Sequence, residues 1–216
     1  MKYPSLSIVI CTYNGKELVK RLLESIQQQD YPGKLEVICV DGGSRDGTLE
    51  LLKKYNVKVH HNKLRFPEGR GMGKEQGVQL AKCELILIVD QDNKLIGKDC
   101  LLQMVLPLMK DKEIFGVACR LYVDKEDNLT NRYLSYVGTD PFAANRSLEG
   151  RMALGKIKLK DEEGYCSYEI KKEDGLCTGG NCFLYRKKCL DAVNGYTQDI
   201  DVVNALVKKG VNKMAI

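Results

Sequence analysis

The chain reads as an α/β protein with a mostly parallel central sheet flanked by helices. Three observations predict this. The apolar run Leu85 to Val89 is unbroken and ends in Asp90, the pattern of a strand buried on both faces of a parallel sheet. Short apolar runs alternate with amphipathic helical patterns through the first half, as crossover connections require. The chain has 216 residues, 44% of them hydrophobic and 29% charged, which is enough for one substantial core.

Taken in order, Leu6–Cys11 is a β-branched, apolar first strand, and Thr12-Tyr13-Asn14-Gly15 is the loop after it. From Glu17 to Gln28, Leu18, Leu22 and Ile26 recur every four residues, so this is an amphipathic helix. Asp30-Tyr31-Pro32-Gly33 has turn chemistry. Leu35–Val40 is a second strand, running into Asp41-Gly42-Gly43-Ser44. A short helix follows over Thr48–Lys54, then a third strand over Val57–Val59. His61–Gly73 reads as a polar, Gly-rich loop, and Lys74–Lys82 as the helix leading into Leu85–Val89. Leu101–Met109 is helix, bent at Pro107, and Ile114–Cys119 is strand. The second half is less regular. Asp124–Asn131 is a polar turn, and Ser147–Asp174, with mixed charges and glycines, reads as an excursion from the sheet. Phe183–Tyr185 is strand, while Lys187–Val193 and Asp201–Lys209 are helix. Val211–Ile216 looks like the opening of another strand, which predicts a chain cut short at its C-terminus.

Net charge is +5. So mild an excess fits an anionic nucleotide, or peripheral contact with anionic lipid, as well as plain solubility, and no nucleic-acid partner is expected from it. The nine cysteines are scattered, several of them in apolar stretches. With no signal-peptide pattern at the N-terminus, they point to a reducing cytoplasm rather than a disulfide framework. No run reaches the roughly 18–20 apolar residues of a membrane span.

Val89-Asp90-Gln91-Asp92-Asn93 carries the chemistry. Ligands of open α/β sheets bind beyond the carboxyl ends of strands. Asp90 and Asp92 stand there, on the same side of an extended segment. Two such carboxylates suit Mn2+ or Mg2+, with Asp92 on the ion itself. The plain alternative is an acidic loop. Thr12, Tyr13 and Asp41 leave neighbouring strand ends toward the same crevice. Tyr13 offers a face for a nucleobase, while Asp41 is either a base contact or the acceptor of a tight turn. Lys74 and Arg70 are candidates for a diphosphate, or simply a solvated basic loop. Gly179, Gly180 and Asn181 would let backbone approach a ligand closely, or form an ordinary turn. Gly69–Lys74 lacks the first glycine and the Ser/Thr of a P-loop, and His60 and His61 read as surface residues.

Together these pieces resemble the inverting glycosyltransferases of GT-A family 2. Ser7–Asn14 is similar to that family's opening strand and loop, Val40–Thr48 to its second-strand signature, and Asp90-Gln91-Asp92 to its DxD element. Gly77 and Ala81 match the helix before the metal strand. Gly179-Gly180-Asn181 and Gln198–Asp201 resemble the acceptor-side loop and the late acidic motif. The resemblance covers nearly the whole chain and implies a single GT-A domain, with residues 1–94 as the nucleotide half and 95–216 as the acceptor half. It also implies an inverting, metal-dependent transfer from a UDP-, GDP- or dTDP-linked sugar to a glycan or lipid-linked hydroxyl.

By the same resemblance, Thr12, Tyr13, Asn14, Asp41, Lys74, Asp90 and Gln91 contact the nucleotide. Asp199 is the base, with Asp201 its rival or an acceptor contact beside Gly179, Gly180 and Asn181. The sequence departs from the family pattern at Gly42, where a second aspartate is common, and at Gln198, where an acid is usual. It has no tryptophan, so the Q-x-x-R-W element of processive synthases is absent. Two alternatives remain: a sugar-phosphate nucleotidyltransferase, whose glycine-rich loop should follow the first strand, and a nucleotide-binding module without activity.

Overall fold

The computed structural model describes residues 2–62, 70–119, 129–130, 132, 160–171, 182–196 and 199–216, the side chains of residues 70, 71, 199 and 200 excepted. The elements follow as β1 (Leu6–Thr12), α1 (Lys16–Gln27), β2 (Leu35–Asp41), α2 (Thr48–Leu52), β3 (Lys58–His61), α3 (Arg70–Leu80) and β4 (Leu85–Asp90). They continue as α4 (Cys100–Lys110), β5 (Ile114–Ala118), β6 (Lys160–Glu162), β7 (Tyr165–Glu169), β8 (Cys182–Arg186), α5 (Lys187–Ala192), α6 (Asp199–Lys208) and β9 (Lys213–Ala215).

The described strands form one sheet in the order β3-β2-β1-β4-β8-β5-β9-β7-β6. β3, β2, β1 and β4 are parallel to one another. β8 inserts antiparallel between β4 and β5, so the second half of the sheet is mixed. The period of two along β1 divides the core. Leu6, Ile8 and Ile10 pack on one face with Val19, Leu22, Leu23 and Ile26 of α1 and with Leu101, Met104, Val105 and Leu108 of α4. Val9 faces the other way, into a cluster with Val78 of α3, Leu190 of α5 and Val202, Val203 and Leu206 of α6. Each fully buried aliphatic chain contributes roughly 1.5–3 kcal/mol, and β1, β2, β4, β5, β8 and β9 each contribute residues to both clusters.

α3 begins at Arg70, four residues before the expected start, and continues through Gly71, Gly73 and Gly77. Those glycines lower its intrinsic propensity. Packing explains one of them. A Cβ on Gly77 would lie 2.2 Å from Val9 Cγ1, so the helix rests on β1 at a distance only glycine allows. α4 runs through Pro107 without ending there. The region expected to be an excursion contains the β6–β7 hairpin, which pairs through β7 with β9. No helix among the described residues is long and apolar enough to cross a membrane.

The chain leaves β1 for β2 and β3 on one side and later returns to β4 on the other. The carboxyl ends of β1 and β4 therefore flank the point where the winding reverses, which is where such sheets open a crevice.

Candidate active site

Three loops meet at that crevice, and hydrogen bonds between distant residues hold them. The β1 loop is joined to the β2 loop at five places. Thr12 Oγ1 donates to Asp41 Oδ2 at 2.9 Å, and Gly42 N to Thr12 O at 2.8 Å. Asn14 N donates to Ser44 Oγ at 3.0 Å, and Arg45 N to Asn14 Oδ1 at 2.9 Å. Lys16 N, at the start of α1, donates to Asp46 Oδ2 at 3.0 Å. Asn14 takes φ 44°, a left-handed conformation that asparagine tolerates better than most residues. From the other side, Gln91 clasps the same loop: Tyr13 N donates to its Oε1 at 2.9 Å, and its Nε2 donates to Tyr13 O at 3.1 Å. The Gln91 amide also packs where a Cβ on Gly15 would sit, at 2.7 Å. Tyr13 is half-buried and Asn14 is exposed.

Asp41 is 1% exposed. Its Oδ1 accepts from Gly43 N and Ser44 N, both at 2.8 Å, and its Oδ2 accepts from Ser44 Oγ at 2.5 Å as well as from Thr12. The carboxylate thus forms the tight turn weighed in the sequence, with each oxygen accepting two bonds. Beside it, an open cleft of about 350 Å³ lies between Asp41–Arg45, Leu49, and His61 and Asn62 at the end of β3. His61 is exposed as expected, and it also lines this cleft.

Across the crevice, Asp90 ends β4. Its Oδ1 lies 3.1 Å from Lys74 Nζ, with Lys74 side-chain exposure 16% and Asp90 32%. The sequence-predicted basic and acidic candidates are therefore partners. The thiol of Cys11, the β1 residue paired with Asp90, is pushed up to about 12 by burial; the Lys74 cation opposes this and Asp90 adds to it. It remains a protonated thiol. Asp92 is exposed; its Oδ1 is met only loosely, by Asn93 Nδ2 at 3.5 Å, and its main-chain carbonyl accepts from Arg21 Nη2 at 2.5 Å.

Asp90 and Asp92 are hard oxygen donors of the kind Mg2+ and Mn2+ prefer. Among the described residues no group of three or more His, Cys, Asp and Glu is placed to hold an ion. The pair fits a cation whose other ligands are phosphate oxygens and water, the usual arrangement for Mg2+. On the second half, Asp199 opens α6 and Asp201 is exposed in its first turn. Gly179, Gly180 and Asn181 lie outside the described residues. Cys182 directly follows them and pairs with Val89, one residue before Asp90. Sequence reasoning did not single out Ser44, Asp46 or Arg21, whose partners lie up to 71 residues away.

An α/β sheet that is parallel over β3-β2-β1-β4 thus carries a stitched double loop, a cleft and a carboxylate pair at its reversal point, where such sheets bind ligands. The sequence profile of the family described as Glycosyl transferase family 2 matches residues 7–192, and the chain belongs to that family of glycosyltransferases. Poly(ribitol-phosphate) beta-glucosyltransferase of Bacillus spizizenii is 35% identical over 103 residues, 45% of this chain and 16% of the relative. Among solved structures, S. aureus TarS 1-349 in complex with UDP-GlcNAc superposes with TM-score 0.66 at 18% identity, covering 100% of this chain and 55% of that fragment. Mannosyltransferase PcManGT from Pyrobaculum calidifontis, in complex with GDP-Man and Mn2+, gives 0.63 at 20% identity over 98% of this chain and 52% of that one. At such identities the likeness shows the fold, which is GT-A. The chain spans about half of PcManGT and of the TarS 1-349 fragment, about a third of TarS, and its match covers a sixth of the B. spizizenii relative.

Proposed function

We propose that the chain binds a nucleoside-diphosphate sugar over the β1–β4 reversal and transfers the sugar, with inversion, to a hydroxyl of a glycan or lipid-linked acceptor. Residues 1–94 serve the nucleotide and 95–216 the acceptor, within one GT-A domain. What supports this reading is that Asp41 at the end of β2 is hydrogen-bonded to Thr12 at the end of β1, that Gln91 ties the Tyr13 loop to the end of β4, and that Lys74 pairs there with Asp90. The ligands named for TarS and PcManGT support UDP- or GDP-linked donors, and a dTDP-linked donor would use the same groups.

In this reading the base enters the cleft beside Asp41. A ring N–H reaching Asp41 Oδ2 would take the place of the Ser44 or Thr12 hydroxyl, because a hydroxyl can rotate away and the backbone donors on Oδ1 cannot. Thr12 and Asn14 hold the loop that presents Tyr13, and Gln91 keeps that loop against β4. Asp90 and Asp92 would hold a divalent cation, which supplies charge neutralisation to the departing diphosphate. The Lys74 cation stands beside Asp90, 3.1 Å away, and adds positive potential where the diphosphate would lie.

Asp199, at the head of α6, takes the proton from the acceptor hydroxyl as that oxygen attacks the anomeric carbon. The bond to the diphosphate breaks with its electron pair on the leaving oxygen, so no acid is needed there. Asp201 and the residues Gly179, Gly180 and Asn181 take the acceptor-contact roles that the family resemblance implies. Use of a nucleotide sugar is the reason to expect a cytoplasmic site of action, with peripheral membrane contact where the acceptor is lipid-linked.

The test is nucleoside-diphosphate release and product formation across donor and acceptor panels, with Asp199→Asn and Asp201→Asn beside the wild type. The proposal expects sugar transfer that Asp199→Asn abolishes without loss of donor binding. Undiminished turnover in Asp199→Asn would remove it as the base, and pyrophosphate release from a nucleoside triphosphate would replace the reaction with nucleotidyl transfer.

A further inference from the structure

α1 has a second face besides its apolar one. Arg21, Ser25 and Gln29 follow at intervals of four, so they form one stripe along the helix and the residues just past its end. All three bind main chain of the segment after β4. Arg21 Nη2 donates to Asp92 O at 2.5 Å. Ser25 Oγ accepts from Leu95 N at 3.0 Å. Gln29 Nε2 donates to Gly97 O at 2.7 Å, and its Oε1 accepts from Leu101 N at 3.1 Å. Asp30 N extends the line to Lys98 O at 2.7 Å.

The segment gains no such anchoring from regular structure. It lies between β4 and α4 and has no ladder of its own. Ser25 is buried, Gln29 is half-buried, and Arg21 is exposed. α1 itself is fixed to the sheet by Val19, Leu22, Leu23 and Ile26. The stripe therefore transfers the rigidity of β1's helical partner to a loop that begins with two candidate metal ligands.

We infer that Arg21 is a positioning residue for Asp92: with Ser25 and Gln29 it fastens the Asp90–Gly97 segment to α1 and so sets where the Asp92 carboxylate meets a metal-bound diphosphate. The metal role rests on the function proposed above; the mechanical role does not. Among the described residues Asp92's carboxylate has only the loose contact with Asn93, so its backbone determines its place. The Arg21 bond is made to that backbone at Asp92 itself. A guanidinium suits this bond because its planar fork is pre-organised, whereas a lysine ammonium at the same position would make a less directed bond. Groups that orient metal ligands from behind typically change metal affinity by roughly 10–100-fold when removed.

The test compares wild type, Arg21→Met and Arg21→Lys by two readouts. The first is amide hydrogen exchange across residues 92–98. The second is the affinity for UDP and for GDP, each with and without Mn2+. Expected for Arg21→Met is faster exchange confined to that segment, Mn2+-dependent binding weakened by roughly 10–100-fold, metal-free binding unchanged, and thermal stability close to wild type. Arg21→Lys should recover part of the loss. Identical exchange in wild type and Arg21→Met would overturn the brace. Faster exchange with unaltered Mn2+-dependent affinity would overturn the positioning of Asp92. A wild type that binds neither diphosphate in a metal-dependent way would overturn the proposed function and the metal role together, and the exchange data would separate that failure from loss of the brace.

Discussion

Gly77→Ala tests how closely the site depends on one helix-to-strand contact. An added Cβ would stand 2.2 Å from Val9 Cγ1 and 3.4 Å from Val40 Cγ2, against an optimum of about 3.5–4.0 Å between carbons. Val9 is fully buried between both neighbours of β1, so it has no free space to rotate into. α3 must therefore lift by roughly 1 Å or more to restore ordinary contact. Overpacking of this kind costs about 1–3 kcal/mol. Alanine regains about 1 kcal/mol of helix propensity, leaving a net loss of up to about 2 kcal/mol and a melting temperature lower by up to several degrees in a chain of this length.

The same displacement carries Lys74, one turn earlier, away from Asp90, opening a 3.1 Å ion pair. Urea unfolding gives the stability, and calorimetric titration with nucleoside diphosphates gives the site. Stability falling together with diphosphate affinity is expected. A Gly77→Ala protein more stable than wild type would refute the close-approach argument.

Other perturbations probe separate parts of the structure. At the amino ends of the strands, Glu36 accepts from Ser7 Oγ at 2.5 Å, Lys82 N at 2.7 Å and Lys58 Nζ at 2.6 Å. Burial pushes its carboxyl up, but these bonds outweigh burial and hold it at about 2 instead of 4.5. A depressed carboxylate pKa stabilises fully above the unfolded value and loses that contribution as pH falls through the folded one. Wild-type unfolding free energy should therefore decline between pH 4.5 and 2 by at most about 3 kcal/mol, less with solvent screening. Glu36→Gln should flatten that decline, and an unchanged slope would dismiss the assignment. Gln91→Ala removes both clasp bonds to Tyr13. It should cost about 1–2 kcal/mol of stability and weaken metal-free nucleotide binding; if urea titration and calorimetry both matched wild type, the clasp would be incidental.

Much of this architecture is visible in the sequence because burial writes regular patterns. Leu85–Val89 lies in the middle of the sheet, buried on both faces, and an all-apolar run is what that position demands. α1 shows its apolar face for the same reason. The β6–β7 hairpin is not visible. Lys160-Asp161-Glu162 forms the sheet edge and is mostly exposed, and in β7 only Ser167 and Tyr168 are buried, so no apolar alternation marks it. The early start of α3 is hidden because three glycines argue against helix locally, while the close contact of Gly77 with Val9 belongs to tertiary packing.

Residue type singles out Asp41, Asp90 and Asp92 as candidates, but not their partners. The family resemblance makes Gln91 a nucleotide contact. Its amide is turned to Tyr13, 78 residues away. Arg21 carries no signal in a pattern that already reads as an amphipathic helix.

Titration of wild type and Asp92→Ala with UDP, GDP, dTDP and CDP, each with and without Mn2+, tests the donor site most directly. Binding of one diphosphate that requires Mn2+ and disappears in Asp92→Ala, with the variant still folded, is the result the crevice predicts. A folded wild type that binds none of the four in a metal-dependent way would contradict the assignment of Asp90 and Asp92 as the donor-site metal ligands.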